Sequence, residues 1–182
     1  MKNRRSFLKT TSAGILGSML VSLPEFSFAD NSNTNGIVKN AGEGETYFVR
    51  ENSPITIKVS KKTDGIDSVS MCTQEILAGN GIPIHKHLHN DEIFFIHKGS
   101  GSFMLDSREF MITEGSIAFV PRSAWHGLKN TGKELLALTF CFSPAGFEDF
   151  FKQIGTIKGT LFKAKTPEEI KLLAKKYGMV YQ

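Results

Sequence analysis

From residue 45 onward the chain alternates apolar and polar residues over short runs broken by Gly, Pro and Asn. Residues 55–59 (Ile-Thr-Ile-Lys-Val) and 69–77 repeat with a period of two, the period of a half-buried strand. On 69–77 one face would carry Val69, Met71, Thr73, Glu75 and Leu77, the other Ser70, Cys72, Gln74 and Ile76, and the pattern leaves open which faces inward. Residues 61–67 read as a polar turn around Gly65, and 82–96 as extended with a bend at Asn90-Asp91. Residues 103–105 and 110–112 flank a polar 106–109 segment and predict a hairpin. Further strands are predicted at 117–120, around Trp125-His126 and at 135–142. Short strands with this punctuation predict an all-β, antiparallel barrel.

After residue 142 the period becomes helical. Ser143 is a predicted cap, Pro144 suits the first helical position, and Phe147, Phe150, Phe151 and Ile154 form an apolar stripe ended by Gly155. In a second helix, Thr166, Pro167 and Glu169 spell a capping box, Ile170, Leu173, Ala174 and Tyr177 form the stripe, and Gly178 stops it. Both helices are expected to pack on the outside of the barrel.

Residues 1–29 have the layout of an export signal. Lys2, Arg4, Arg5 and Lys9 precede an apolar run at 13–23 that is too short to span a membrane, and Ser27-Phe28-Ala29 offers small residues for cleavage before Asp30. Residues 3–9 (Asn-Arg-Arg-Ser-Phe-Leu-Lys) resemble a twin-arginine signal, which implies use of the export machinery and an exported, periplasmic or extracellular location. Loss of Lys2, Arg4, Arg5, Lys9 and Glu25 takes the net charge from +4 to +1. No basic patch for nucleic acid is left, and the mature form is expected to have no membrane association. Residues 30–44, rich in Asn, Gly and Ser, read as a flexible arm, 45–143 as the barrel and 144–182 as a helical extension. Cys72 and Cys141 read as buried free thiols, with a disulfide open only if their strands adjoin in the right geometry.

All five histidines fall between Gly79 and Asn130. His85 and His87, two apart on a strand, point to one face. Glu92 follows the bend and can reach the same face, and His126 can join from a distant strand. Three imidazoles and a carboxylate suit one divalent ion, Fe, Mn, Ni, Zn or Co, without choosing among them. Their convergence requires a barrel or sandwich interior. By parity Phe94 and Ile96 share the side of Glu92, while Ile93, Phe95 and His97 point away; His89 reads as a rim residue. Phe94, Ile96, Phe119, Trp125 and Leu128 are candidate pocket walls, and fifteen phenylalanines against three tyrosines suggest an apolar interior.

Gly79, five residues, His85, one, His87, four, Glu92, six, Gly99 resembles the first motif of the cupin family. Gly115, five residues, Pro121, one, Ser123, two, His126, three, Asn130 resembles the second, with Ser123 where glycine is usual. The resemblance implies a jelly-roll β-barrel and the metal ligands His85, His87, Glu92 and His126. The tail from Ser143 through Met179 is similar to that of small bacterial cupins described as quercetinase-like. What this implies is a metal-dependent dioxygenase, an oxidoreductase acting on a small aromatic or other organic substrate, with Glu92 as ligand or proton acceptor. Two alternatives stand beside it. One is a non-catalytic metal-containing protein that binds a small molecule. The other is an isomerase or lyase, which would want cationic or polar groups in the pocket; Arg122 is the candidate nearest the motifs. Exposed strand edges and the helical tail also allow a homodimer.

Overall fold

In the strand Ser70–Ile76, the side chains of Ser70, Cys72, Gln74 and Ile76 are buried, which settles the face that alternation left open. The same two-residue rhythm buries Glu92, Phe94 and Ile96 in Asp91–Lys98, and Leu136, Leu138, Phe140 and Phe142 in Leu136–Ser143. The computed structural model describes residues 36–182. The predicted signal at 1–29 and the first part of the predicted arm lie outside them. Within the rest of the arm, the Lys58 ammonium donates to the carbonyls of Asn40, Ala41 and Glu43, and Lys39 pairs with Asp64.

In chain order the elements are β1 (Glu45–Arg50), β2 (Ser53–Val59), α1 (Lys61–Asp64), β3 (Ser70–Ile76), β4 (Gly81–His87), β5 (Asp91–Lys98), β6 (Ser100–Leu105), β7 (Arg108–Thr113), β8 (Ile117–Val120), β9 (His126–Lys129), β10 (Leu136–Ser143), α2 (Asp149–Ile154), β11 (Thr156–Ile157), α3 (Pro167–Lys176) and β12 (Met179–Tyr181). They form two antiparallel sheets. One has seven strands in the order β11-β1-β2-β3-β10-β5-β8, the other five in the order β12-β4-β9-β6-β7. The inner faces share one core, in which the rings of Phe94 and Phe103 meet across the sheets at 5.2 Å.

This corrects the predicted all-β jelly-roll barrel. Each sheet keeps two edges, β11 and β8 in one and β12 and β7 in the other, and among the described residues no ladder joins them into a closed wall. The domain is an open, predominantly β pair of sheets with a few helices. The physical reason lies in the chain crossings: β4 and β5 are adjacent in sequence but fall in different sheets, so the bend at 88–90 crosses between layers instead of closing a hairpin.

The helices also depart from expectation. Their apolar stripe does not lie on an outer sheet face: Phe147, Phe150, Phe151, Ile154 and Ile170 line a cavity together with Phe140 and Phe142 of the sheet. Ser143 does not cap α2, because it is still paired with Asp91 in the sheet and its hydroxyl donates to the Ser68 carbonyl. The helix begins at Asp149, after buried Glu148, whose carboxylate accepts from the amides of Lys61 (2.8 Å) and Gly146 (2.6 Å). In α3 the capping box forms as read, with Thr166 and Glu169 each accepting from the other's amide. The predicted turn at 61–67 contains one helical turn, α1, capped by Ser60 and ended by Gly65 at φ 72°. Three strands have no predicted strand as counterpart in the sequence reading, β1, β11 and β12. Cys72 and Cys141 do sit on adjoining strands, but Cys72 pairs with Phe140 and Cys141 with Met71, so the thiols occupy opposite faces and both are free.

Asn130 closes the turn that follows β9. Its side-chain amide donates to the carbonyls of Ile76 and Glu134, both at 2.8 Å, and its oxygen accepts from the Gly132 amide. Asn130→Ala leaves two carbonyls without donors in a site that is 0 % exposed. Stability should fall by about 2–4 kcal/mol, read as a lower urea midpoint at unchanged slope.

Candidate metal centre

β4 brings His85 and His87 to one inner face, and β9 pairs with β4 so that His126 stands opposite His85. Glu92 comes from β5, in the other sheet, paired with Phe142. Three imidazoles from one sheet therefore face one carboxylate from the other. All four are buried, and their ligand atoms lie within 4.8 Å of one another. Glu92 Oε2 is 2.9 Å from His126 Nε2 and 3.2 Å from His87 Nε2, and His85 Nε2 is 3.1 Å from His87 Nε2. Asn90 secures the crossing between the sheets by donating to the Pro144 carbonyl at 2.7 Å.

The outer nitrogens fix the tautomers of two rings. His85 Nδ1 lies 2.8 Å from the Pro83 carbonyl and His126 Nδ1 3.1 Å from that of Ala124. A carbonyl only accepts, so each Nδ1 carries a proton, and in a metal-bound form each Nε2 would turn its lone pair to the ion. Backbone carbonyls in this position are the usual orienting partners of ligating histidines. His87 Nδ1 is buried without a partner. Lone pairs and a carboxylate crowded this closely repel unless a cation or protons lie among them. The donor set therefore fits a divalent ion, and the cluster is capable of coordinating one, with its identity open.

The electrostatics agree. Burial pushes His85 down to about 3, helped by His126 and His87, so it stays neutral. Burial works to raise Glu92, but hydrogen bonds from His126 and His87 outweigh it and hold the carboxyl at about 2. A deprotonated carboxylate and neutral imidazoles are the ligand forms of these groups.

His85, His87 and Glu92 form part of the wall of a cavity of about 120 Å³. This is well below the ~300–1,000 Å³ typical of sites for drug-sized ligands. The structure corrects the predicted walls, because Phe94, Ile96, Phe119, Trp125 and Leu128 do not line it. Phe94 packs behind His126 at 5.9 Å between ring centres, and Ile96 and Leu128 lie in the core. Phe119 is 58 % exposed on the outer sheet face, and Trp125 lies beneath the Lys86 ammonium. The apolar lining comes instead from Phe140 and Phe142 of β10, the α2 region and Met179. Arg50, Ser53 and Gln74 add polar groups, and Tyr181 of β12 stands 6.2 Å from the His85 ring. The sequence reading missed all of these. The Met-Val-Tyr alternation after Gly178 was a strand signal for β12; Arg50 carried none. Arg122, the cation it did name, is exposed and forks onto Asp91 at 3.0 and 3.1 Å. His89 and His97 are exposed, and neither joins the cluster.

Two outcomes follow. His126→Ala removes one of four ligands and should leave less than a tenth of the wild-type metal content by elemental analysis, with the fold retained by circular dichroism. In metal-free protein, His85 has a folded pKa below its unfolded one, so its stabilising contribution is complete above about pH 6.5. It is lost as pH falls toward 3. Urea titrations of the metal-free protein should show stability declining through that window, and bound metal should be released as pH falls through the same range.

Residues 72–142 match the family described as the cupin domain, a span that contains all four ligands. Over 81 residues the chain is 28% identical to an uncharacterized protein of Methanocaldococcus jannaschii, covering 44% of this chain and 65% of that relative, just under two thirds of its length. Among solved structures, KdgF from Halomonas sp. aligns with a TM-score of 0.55 at 16% identity, covering 63% of this chain and 99% of that one. A predicted oxalate decarboxylase from Thermotoga maritima aligns with a TM-score of 0.52 at 18% identity, covering 60% and 99%. These likenesses concern the fold and carry nothing specific to quercetinases. The expected oxidoreductase and dioxygenase assignments are corrected as well: the ligand set holds nothing particular to redox chemistry, and the walls proposed to hold an aromatic ring are elsewhere. Residues 72–142 thus match a cupin-superfamily domain and contain a cluster capable of coordinating a divalent metal ion.

Proposed function

We propose that the protein is a metal-dependent lyase or isomerase acting on a small organic acid. One observation carries the reading: Arg50, with Ser53 and Gln74, lines the same small cavity as the ligand cluster. This is the polar lining such chemistry wants and an apolar oxygenase pocket does not need. A bound divalent ion would supply Lewis-acid polarisation of a substrate oxygen. Arg50 would pair with a substrate carboxylate through its planar fork. The phenylalanines of β10 and α2 would exclude water from the reacting bond. Glu92, held deprotonated, serves first as a ligand and is the carboxylate placed to take a substrate proton; the Tyr181 phenol, kept protonated by burial, is the wall group able to give one back. A small-acid lyase is also what the name of the Thermotoga maritima structure describes, although its likeness to this chain is one of fold.

Metal-loaded protein should convert a member of a panel of small hydroxy- and oxo-acids in the absence of oxygen, with products read by NMR. Arg50→Ala should raise KM about 10–100-fold with a smaller effect on kcat, as expected for a lost charge-assisted contact. Tight acid binding without any product would support the binding-protein alternative instead.

We propose further that the chain is exported and cut after Ala29. Mass spectrometry of protein from its native compartment should then find a mature terminus at Asp30; an intact Met1 terminus would refute it.

A further inference from the structure

One of the three imidazoles is held differently from the other two. His85 and His126 each give an Nδ1 proton to a backbone carbonyl, of Pro83 and Ala124, and a half-turn of either ring breaks that bond. His87 Nδ1 is buried with no hydrogen-bond partner. The last torsion of a histidine side chain is broad and roughly two-fold, and a half-turn about it puts Cε1 where Nε2 stood. Such a turn withdraws the nitrogen from the cluster, and at His87 no bond at Nδ1 opposes it. What bears on this ring is aromatic. Phe147 meets it edge-on at 4.2 Å between centres with the planes at 77°, and Phe142 at 5.1 Å and 71°. Phe142 is fixed within β10. Phe147 lies in a turn, outside any strand or helix, yet is only 3 % exposed.

The segment that carries Phe147 is tied down on both sides of it. The Asn90 amide donates to the Pro144 carbonyl at 2.7 Å, and the Ala145 amide to the Asp67 carbonyl at 2.9 Å. The Glu148 carboxylate accepts from the amides of Gly146 at 2.6 Å and Lys61 at 2.8 Å. Glu148 is fully buried, and a carboxylate is tolerated there only when hydrogen-bonded. Asn90 stands three residues after His87, so the ring and the phenylalanine against it are secured to the same crossing. We propose that Phe147 is the positioning residue of His87, doing by packing what the Pro83 and Ala124 carbonyls do for the other two histidines, and that Glu148 holds Phe147 in place. The cluster then keeps all four ligands only while the segment ahead of α2 is docked. This role needs the cluster to hold an ion, but not the acid chemistry proposed above.

Zinc transfer from the loaded full chain to a chelator, followed beside nitrogen NMR of isotope-labelled histidine, tests this. In wild type, His85, His87 and His126 should each show one metal-bound Nε2 signal. F147A should release zinc about 10–100-fold faster, the usual effect of losing a group that orients a ligand. His87 alone should then show free-imidazole signals, with His85 and His126 unchanged. Phe150 is as buried as Phe147 and 5.3 Å from it, and among the described residues it makes no ring contact with His87. F150A should therefore lower the urea midpoint comparably but change zinc release far less. E148Q should fall between wild type and F147A. If F147A does not fold, F147L, nearer in volume, carries the test with the same signature at His87. Wild type that takes up no zinc would overturn this proposal together with the metal centre. Unchanged release in F147A or F147L, equal release in F150A, or free signals from all three histidines alike would overturn this proposal alone.

Discussion

A single buried carboxylate facing three imidazoles from the opposite sheet sets the terms for the rest of this structure. Glu92 is 3 % exposed and stays ionised, which is costly unless the charge is matched. Its partners are His85, His87 and His126, carried by two strands of the other layer, which together with Glu92 could hold an ion that matches the charge. Their approach demands that the sheets hold a fixed separation and register at that end. Much of the local architecture does this. Asn90 ties down the crossing from β4 to β5, and the backbone carbonyls of Pro83 and Ala124 lock two ring orientations. At the other end of the same strands, Asn130 pins the turn after β9 to β3.

The C-terminal segment has a different relation to the site than a decorative extension would. Phe147 lies 4.2 Å from the His87 ring, and β12 pairs directly with β4, setting Met179 opposite His87 and Tyr181 opposite His85. The tail therefore builds the cavity in which the ligands act. The sheets alone would leave the open end of the sandwich to water. With α2, α3 and β12 in place, a small, largely apolar space is lined on one side by the metal ligands and elsewhere by Arg50, Ser53 and Gln74. Cavity size and polarity, more than the ligand set, separate a small-acid reaction from chemistry on a larger aromatic ring.

The two faces of the seven-stranded sheet differ in what they carry. Along β5 the inward residues are Glu92, Phe94 and Ile96, and the outward ones Ile93, Phe95 and His97. One strand thus supplies a ligand to the interior and an apolar surface to the exterior. The period-two rule keeps the faces independent, since outward substitutions do not touch the cluster.

The ligand set was legible because it depends on local spacing. His85 and His87 share a face on any strand, Glu92 shares a side with Phe94 and Ile96, and the histidine, glycine and proline spacings resemble a known pattern. The capping box of α3 was legible for the same reason, as its partners are three residues apart. Features set by long-range pairing were not. Alternation could not say whether the sheets close into a barrel, because strands of either arrangement repeat every two residues. It could not place Ser143, whose capping hydroxyl is taken by Ser68, far away in sequence. Nor could it choose the cavity walls: Phe94 and Phe142 are both inward phenylalanines, and only the position of α2 puts one beside the cavity and the other behind His126. The amino-acid order by itself determined which residues could bind an ion and which residues share a strand face. The tertiary structure alone decided which strands are neighbours, and so what surrounds the ion, because that rests on contacts between residues distant in the chain.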